Sequence, residues 1–306
     1  MAARHFLTVT DLSKAEFDSV LSQAAAWQRS PIGDALAGKT VALIFGKPST
    51  RTRVSFSVGV HQLGGMPLYL SEQDLQMRKS ESIEDTARVL SRYVGAIVIR
   101  TFAQSDVEDL AAAASVPVIN ALTDDEHPCQ ALADLFTFKE RFADPVGRKL
   151  VYLGDGNNVA ASLAEAAALA GVDVCLCIPE GCDLPAVKMA SITTLASLHG
   201  SKVWVERDPR GAVAGASALY TDVWLSMGQR EDTAKVEALR PYQVNEALLR
   251  LARPEAIVLH CLPAHRGQEI TDEVIDGPRS AVFDQAENRL HVQKALMAFL
   301  ISGPAS

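Results

Sequence analysis

Hydrophobic and polar positions divide the chain into two alternating kinds of segment. Short apolar runs rich in β-branched residues read as buried strands, and Ala- and Leu-rich stretches with helical spacing lie between most of them. The predicted strands are TVALIF, AIVIRT, VPVINA, KLVYLG, DVCLCIP, KVWVE, ALYTDVWL and AIVLHCLP. Strands separated by helical crossovers form parallel sheets with helices on both faces. The pattern therefore predicts an α/β protein.

The length of 306 residues indicates two domains, at roughly 150 residues per domain. The stretch HPCQALADLFTFKERFADPVGRKL reads as an amphipathic helix followed by a turn, which places the boundary near residues 134 to 148. We expect a first domain over residues 1–140 and a second over 141–284, with a C-terminal helix at 285–306 that joins the first domain. Each domain is a parallel sheet flanked by helices, and we expect the active site in the cleft between them.

Charge and composition exclude several classes of protein. Lys and Arg number 29 against 37 Asp and Glu, and this net charge of -8 argues against a nucleic-acid partner, which would need a basic surface. No segment approaches the roughly 18 apolar residues of a membrane helix, and the N-terminus has no signal-peptide pattern. We therefore expect a soluble, cytoplasmic protein. The five cysteines lack zinc-site spacing, so we expect neither a metal nor a disulfide framework.

One basic stretch, FGKPSTRTRVSF, stands out in this acidic chain. It places Lys47, Arg51 and Arg53 beside hydroxyl residues where a predicted strand gives way to a helix. Free backbone N–H groups, the helix dipole, hydroxyls and a guanidinium together form an anion site, and a phosphate is the anion that they suit best. Arg51 and Arg53 point about 200° apart on a helix, so one binds the ligand and the other supports the fold. The alternative is a solvated basic helix start without a ligand.

A second stretch, VYLGDGNNVAASLAEAAALAGVDV, partly matches a dinucleotide-binding fingerprint. A strand, a G-x-G turn and a helix follow one another, but Val159 stands where the fingerprint needs a third Gly or Ala. Asp173 lies about where a ribose ligand is expected. An NAD-dependent dehydrogenase is therefore a weakened but open interpretation.

Six motifs resemble those of the aspartate/ornithine carbamoyltransferase family. The segment F-x-K-x-S-T-R-T-R is similar to the family's carbamoyl-phosphate motif, and five others follow in the family's order: QMRKSES, HPCQ, DVWLSMGQ, HCLPAHRG and ENRLHVQKA. They span nearly the whole chain without a departure, and they look most like the ornithine-specific members. The resemblance implies attack of the δ-amine of L-ornithine on carbamoyl phosphate, giving L-citrulline and phosphate in arginine biosynthesis, without a cofactor or metal.

The resemblance also implies roles for individual residues, with His127 donating to the carbamoyl oxygen and Arg53 left to the fold. Carbamoyl phosphate is assigned to Ser49, Thr50, Arg51, Thr52, Gln76, Arg100, His127, Gln130, Cys261, Leu262 and Arg289. Ornithine is assigned to Asn158, Asp222, Ser226 and Met227, and the catalytic set is Arg51, Arg100, His127, Asp222 and Cys261. The loop around Gln76 reaches a neighbouring subunit in such enzymes, which implies a homotrimer. A cis peptide is expected at Leu262–Pro263.

Two features of the chemistry stay open at this stage. The base that deprotonates the amine could be a departing phosphate oxygen, Asp222 or Cys261. The acceptor could also be putrescine or aspartate, although Asp222 favours an amine because it can pair with an ammonium group. A binding module without catalysis is the least favoured interpretation, since every expected contact residue is present.

Overall fold

The structure of the protein is a computed structural model that describes residues 3–71, 75, 80–225 and 232–302. It contains two compact units, which are described separately. The first unit comprises Met1–Phe136 and Asn288–Ser306, and the second comprises Thr137–Glu287. Among the described residues, no helix has the length and apolar character needed to cross a membrane.

Strands and helices alternate along most of the described chain, and two helices in succession follow each of the last two strands. The strands are β1 (Thr40–Phe45), β2 (Met66–Ser71), β3 (Ala96–Arg100), β4 (Val118–Leu122), β5 (Lys149–Leu153), β6 (Asp173–Cys177), β7 (Val203–Glu206), β8 (Ala218–Thr221) and β9 (Ile257–His260). The helices are α1 (Lys14–Arg29), α2 (Thr50–Gln62), α3 (Ile83–Leu90), α4 (Gln104–Ala113), α5 (Pro128–Arg141), α6 (Asn158–Ala170), α7 (Ala186–Leu198), α8 (Pro209–Val213), α9 (Thr233–Leu239), α10 (Glu246–Leu249), α11 (Asp272–Ile275) and α12 (Val282–Ser302). Short 3-10 turns lie at Val9–Asp11 and Arg240–Tyr242.

Each unit contains one parallel sheet. The order is β2-β1-β3-β4 in the first unit and β7-β6-β5-β8-β9 in the second, and every neighbouring pair runs parallel. This confirms the α/β prediction. In each sheet the chain first moves outward on one side and then returns to build the other side. The point of reversal lies between β1 and β3 in the first unit and between β5 and β8 in the second, and such switch points are where parallel sheets bind ligands.

The sequence pattern predicted every strand except β2. This strand lies at the edge of its sheet and contains Pro67, which has no N–H group to donate to a second neighbour. Met66 and Leu68 are exposed, so the strand lacks the continuous buried run that marks the others. Pro67 and the exposed side chains together explain why the hydrophobic pattern did not predict this strand.

The predicted helix after β1 is present as α2. Its N-cap is Ser49, whose hydroxyl oxygen accepts a hydrogen bond from the N–H of Thr52 at 3.3 Å. Phe56 and Val60 anchor the helix in the core of the first unit. The chain leaves the helix at Gly64, whose φ of +79° favours glycine. Because α2 follows β1 directly, its N-terminus lies at the switch point of the first sheet.

Helix α6 of the second unit is buried on every side. All of its residues from Val159 to Leu169 are buried, as expected for a helix that is mostly apolar around its circumference, and the buried Glu165 forms an ion pair with Lys188 at 2.5 Å. It begins at Asn157, which serves as N-cap, and ends at Gly171 in the left-handed conformation. Since α6 follows β5, the turn at residues 154–158 lies at the switch point of the second sheet.

The N-cap of α3 gives a stability prediction. The Ser82 hydroxyl oxygen accepts a hydrogen bond from the N–H of Asp85 at 3.0 Å. We expect Ser82→Ala to lower the free energy of unfolding by about 1 kcal/mol, because one N–H of the first turn loses its partner. Chemical denaturation of the purified protein measures this change. Ser19→Ala, at an exposed position within α1 of the same unit, serves as the control and should stay within about 0.5 kcal/mol of wild type; equal losses in the two variants would contradict the cap.

Candidate functional site

The candidate site of the first unit begins where β1 and β3 end side by side. Phe45, the last residue of β1, stands opposite Arg100, the last residue of β3. The N–H of Gly46 then donates to the carbonyl oxygen of Arg100 at 2.8 Å. The start of the basic stretch is thereby fixed against the strand that carries Arg100.

The start of α2 is further bound to the C-terminal helix. The Thr52 hydroxyl is fully buried and accepts hydrogen bonds from the Ser49 hydroxyl at 3.0 Å and from Arg289 Nη2 at 2.7 Å. Thr50, the first residue of α2, is exposed. Arg289 is 237 residues away from Thr52 along the chain. The structure therefore brings this predicted site residue to the helix start that the sequence motif marked.

The three cations of the basic stretch take separate positions. Lys47 is buried, forms an ion pair with Asp124, and places its ammonium 4.4 Å from the centre of the Phe102 ring. The guanidinium carbon of Arg53 lies 3.6 Å from the centre of the Tyr69 ring on β2. A cation over an aromatic face is attracted to the ring, so Arg53 contributes to the packing of α2 on the sheet. This agrees with the division between Arg51 and Arg53 that helical geometry predicted.

The pKa of His127 is lowered by the charges of three arginines: Arg51, Arg100 and Arg289. The pKa of this buried imidazole is held well below its usual range, first by burial and then by the positive charges of Arg289, Arg100 and Arg51. Both effects disfavour the charged ring. His127 is therefore neutral at physiological pH, in a region of concentrated positive charge.

The loop that carries His127 ends in the predicted first turn of a helix. Pro128 is the first residue of α5, and the N–H of Gln130 donates to the carbonyl oxygen of His127 at 3.1 Å. The Gln130 side chain donates to Asp134 Oδ1 at 2.8 Å within the helix. Gln130 thus stands one helical turn from His127, whereas Gln76 lies outside the described residues.

The candidate site of the second unit is built from the ends of β5, β8 and β9. Asp222 follows β8 and is only 5% exposed. Its Oδ1 accepts a hydrogen bond from the Cys261 thiol at 2.9 Å, and its Oδ2 accepts one from Asn157 Nδ2 at 2.8 Å. Asn158, the first residue of α6, directly follows Asn157 in the sequence. Asp222 and Cys261 are thus in contact, while the predicted residues Ser226 and Met227 lie outside the described part of the chain.

Asn157 was missed by the sequence interpretation, which selected its neighbour Asn158. Its side-chain oxygen accepts hydrogen bonds from the N–H groups of Val159 at 3.0 Å and Ala160 at 3.1 Å, as an N-cap does. An Asn before an Ala-rich helix is a recognisable cap signal. That signal predicts the local geometry of the turn but not the contact with Asp222.

The G-x-G turn of the second unit packs against its own chain. A Cβ atom at Gly156 would lie 2.3 Å from the carbonyl oxygen of Cys182 and 2.9 Å from the nitrogen of Leu184. In a dinucleotide fingerprint the second glycine lets the backbone approach a pyrophosphate instead. Here the close approach is to residues of the chain itself, which weighs against the dehydrogenase interpretation. Asp155 of the same turn forms an ion pair with Lys235 at 2.7 Å.

The loop after β9 is fixed by a buried histidine. His260 Nδ1 accepts from the N–H of Leu262 at 2.8 Å, which assigns the ring proton to Nε2, 3.1 Å from Glu269 Oε1. The peptide bond between Leu262 and Pro263 is cis, as predicted. Leu262 itself is partly buried.

One group of side chains in the described chain has the composition of a metal site. Donor atoms of Asp222, His260 and Cys261 lie within 4.8 Å of one another. Both ring nitrogens of His260 already have partners, in Leu262 and Glu269. The Cys261 thiol is likewise engaged with Asp222. A metal could bind His260 here only if these contacts broke.

Comparisons with known proteins all indicate the same family. Residues 4–140 match the aspartate/ornithine carbamoyltransferase carbamoyl-P binding domain, and residues 146–300 match the Asp/Orn binding domain of the same family. An ornithine carbamoyltransferase of Parafrankia sp. is 52% identical over 98% of this chain and 97% of that protein. One from Bacillus subtilis is 50% identical over 99% of this chain and 96% of that protein.

A solved structure extends the similarity to the backbone. The ornithine carbamoyltransferase of Pyrococcus furiosus has a TM-score of 0.95 and 49% identity, covering 99% of this chain and 98% of that one. The two family matches together account for nearly the whole chain. The fold, the arginine-rich helix start and these similarities agree. The chain belongs to the aspartate/ornithine carbamoyltransferase family.

Proposed function

We propose that this protein transfers the carbamoyl group of carbamoyl phosphate to the δ-amine of L-ornithine, giving L-citrulline and phosphate for arginine biosynthesis. The observation that carries the proposal is the convergence of three arginines on a neutral, buried histidine beside the N-terminus of α2. Such an arrangement suits a donor that is a phosphate at one end and a carbonyl at the other. The relatives named as ornithine carbamoyltransferases support ornithine as the acceptor.

The phosphate end of the donor is assigned to the start of α2. Backbone N–H groups of the first turn and the positive end of the helix dipole favour an anion there. Arg51 can add a two-pronged contact, and each charge-assisted hydrogen bond contributes roughly 1.5 to 3 kcal/mol. Thr52 is oriented for this role by Ser49 and Arg289. Arg100, at the end of the adjacent strand, is assigned to the same anion.

The carbonyl end of the donor is assigned to His127. A neutral imidazole can donate its N–H to the carbonyl oxygen and stabilise the negative charge that grows there during attack. A protonated ring would be a stronger donor, but burial and the nearby arginines disfavour that form. The same arginines stabilise the developing oxyanion and the departing phosphate. His127 thus acts as a neutral donor inside a cationic surrounding.

The acceptor is assigned to Asp222 and its neighbours. A buried carboxylate at the end of β8 can pair with the α-ammonium group of ornithine, and Asn158 stands on the adjacent turn. An aspartate acceptor would bring two carboxylates toward this anion and is disfavoured for that reason. Putrescine has amines but no α-carboxylate. A competition assay among the three acceptors decides between them.

Positioning supplies much of the proposed rate acceleration. Holding amine and carbonyl in attack geometry is worth roughly 7 to 11 kcal/mol. Against this, presenting a neutral amine with a pKa of about 10.4 costs about 4 kcal/mol at pH 7.4. Carbamoyl phosphate is an activated donor, so the protein needs to orient the reactants and stabilise charge, and no covalent step on the protein is required.

We also propose that the protein acts as a homotrimer in the cytoplasm. Apolar side chains are exposed on α2 and on the edge strand β2: Val54 is 53% exposed, Met66 is 56% exposed, and Val58 and Leu68 follow on the same elements. An open sheet edge with an apolar neighbourhood is normally covered by other protein. The segment containing Gln76 follows β2 directly in sequence, and the resemblance to the family implies that this segment reaches a neighbouring subunit.

The state of His127 gives a first prediction for this mechanism. We expect the 13C-labelled His127 signal to be constant between pH 8 and 6 in NMR spectra, because the pKa lies well below 6.5. The unfolded chain takes up this proton near pH 6.5 and the folded chain does not, so this group costs stability as pH falls below about 6.5. Arg289→Met should raise the pKa, since it removes a nearby positive charge. A midpoint at or above the ordinary value in wild type would contradict the assignment.

The phosphate assignment gives a second prediction. We expect Arg51→Ala to lower citrulline formation by about 100-fold or more, because it removes charge stabilisation at the donor. Colorimetric citrulline detection measures turnover, and thermal denaturation checks folding. Arg29→Ala, at the exposed end of α1, is the matched control and should retain wild-type activity. Full turnover in Arg51→Ala would refute the role of this residue.

The trimer gives a third prediction. Wild type should have three times the 32.8 kDa chain mass in light scattering after size exclusion. Val58→Glu should release smaller species, because it places a charge on the exposed apolar face of α2. Val187→Glu, on the exposed face of α7 in the second unit, should leave the mass unchanged. A monomeric wild type would rule out the proposed assembly.

A further inference from the structure

We infer that Asn157 is a positioning residue for the acceptor, whose amide orients the Asp222 carboxylate toward the ammonium group of ornithine. The inference rests on the proposed function, since it takes Asp222 as the ornithine-binding carboxylate. It assigns a role to a residue that the sequence motifs left aside. Asn157 acts through Asp222 and is not itself assigned a contact with the reacting atoms.

The orientation of the Asn157 amide is fixed by its neighbours. Its oxygen accepts from the N–H groups of Val159 at 3.0 Å and Ala160 at 3.1 Å, at the start of α6. A flipped amide would direct its own N–H groups at these two donors, so only one orientation is compatible with the cap. In that orientation the amide nitrogen must face the other way, and it lies 2.8 Å from Asp222 Oδ2.

Tyr152 adds a third donor to the amide oxygen. Its hydroxyl lies 3.2 Å from Asn157 Oδ1. The pKa of this fully buried phenol is raised well above its ordinary value, first by burial and then by the nearby Asp222, Asp155 and Cys261. The phenol therefore keeps its proton and donates it toward Asn157. Three donors on the oxygen leave the amide N–H group aimed at the carboxylate.

The effect on Asp222 follows from its burial. A carboxylate that is 5% exposed has lost most of its water and needs donors to stay charged and oriented. Asn157 supplies one donor to Oδ2, and the Cys261 thiol supplies one to Oδ1 at 2.9 Å. The two donors hold both oxygens, which fixes the plane of the group. A carboxylate that is already ordered loses less conformational entropy when an ammonium group binds, so more of the interaction energy contributes to affinity.

The choice of residue at position 157 is explained by the two tasks together. Ser, Thr, Asp and Asn all cap helices, since each offers an oxygen to the first-turn N–H groups. Asn alone among them also carries an amide N–H group that can donate to Asp222. An ionised aspartate would keep the cap but set a second negative charge against Asp222. Asn157→Asp therefore separates the positioning role from the capping role.

The test compares Asn157→Asp with wild type in steady-state kinetics from pH 6 to pH 8.5. At pH 8.5 we expect the KM for ornithine to rise about tenfold or more, with the KM for carbamoyl phosphate unchanged, because two adjacent carboxylates repel. At pH 6 the ratio of mutant to wild-type KM should fall to about threefold or less, since one carboxyl of the pair takes up a proton and donates it to the other. A defect in folding alone would not produce this pH dependence.

A matched control and a second variant complete the experiment. Asn245 caps α10 by accepting from the N–H of Leu248 at 3.0 Å, so Asn245→Asp makes the same chemical change at another cap of the second unit. It should leave both KM values at wild-type levels at every pH. If Asn157→Asp does not fold, Asn157→Ser retains a capping oxygen and should raise the ornithine KM without the pH dependence.

The outcomes separate this inference from the proposed function. An Asn157→Asp enzyme with the wild-type KM for ornithine at pH 8.5 overturns the inference. So does a raised KM whose ratio to wild type is constant with pH, or one that rises equally for both substrates. A wild-type protein that forms no citrulline from ornithine and carbamoyl phosphate would instead overturn the proposed function.

Discussion

The candidate site of the first unit depends on a scaffold that holds several positive charges close together. Arg51, Arg100 and Arg289 come from three distant parts of the chain, and all of them depress the pKa of His127. Like charges repel, so this arrangement needs a scaffold. The pairing of β1 with β3 fixes Arg100 beside the start of the basic stretch, and the hydrogen bond from Arg289 to Thr52 fixes the C-terminal helix to α2. The chain as a whole has a net charge of -8, so this concentration of positive charge is local. A bound anion would relieve the repulsion among the arginines.

The second unit uses the same kind of parallel sheet to hold a negative charge instead of positive ones. At its switch point the central group is a buried carboxylate, Asp222, and it is held by neutral donors from Asn157 and Cys261. Neutral donors stabilise the negative charge without cancelling it, so the carboxylate can still attract an ammonium group. One unit is thus prepared for an anion and the other for a cation, which matches the two substrates of the proposed reaction.

Much of this could be predicted from the sequence because it depends on local pattern. Apolar runs separated by helical segments predicted the parallel sheets, and helical geometry separated Arg51 from Arg53. The edge strand β2 was missed because Pro67 and exposed side chains remove the buried run. The partner of Arg53, Tyr69, and that of Asn157, Asp222, were not predictable, since a motif or a cap signal fixes local geometry but not which distant residue packs against it. The role proposed for Arg289 came from resemblance alone.

The central claim is that the start of α2 receives the phosphate of the donor. A crystal structure of the protein with carbamoyl phosphate bound tests it most directly. The account predicts phosphate oxygens within hydrogen-bond distance of the backbone N–H groups at the start of α2 and of the Arg51 guanidinium, with the carbonyl oxygen facing His127. A donor found elsewhere, with this helix start in contact only with solvent, would contradict it.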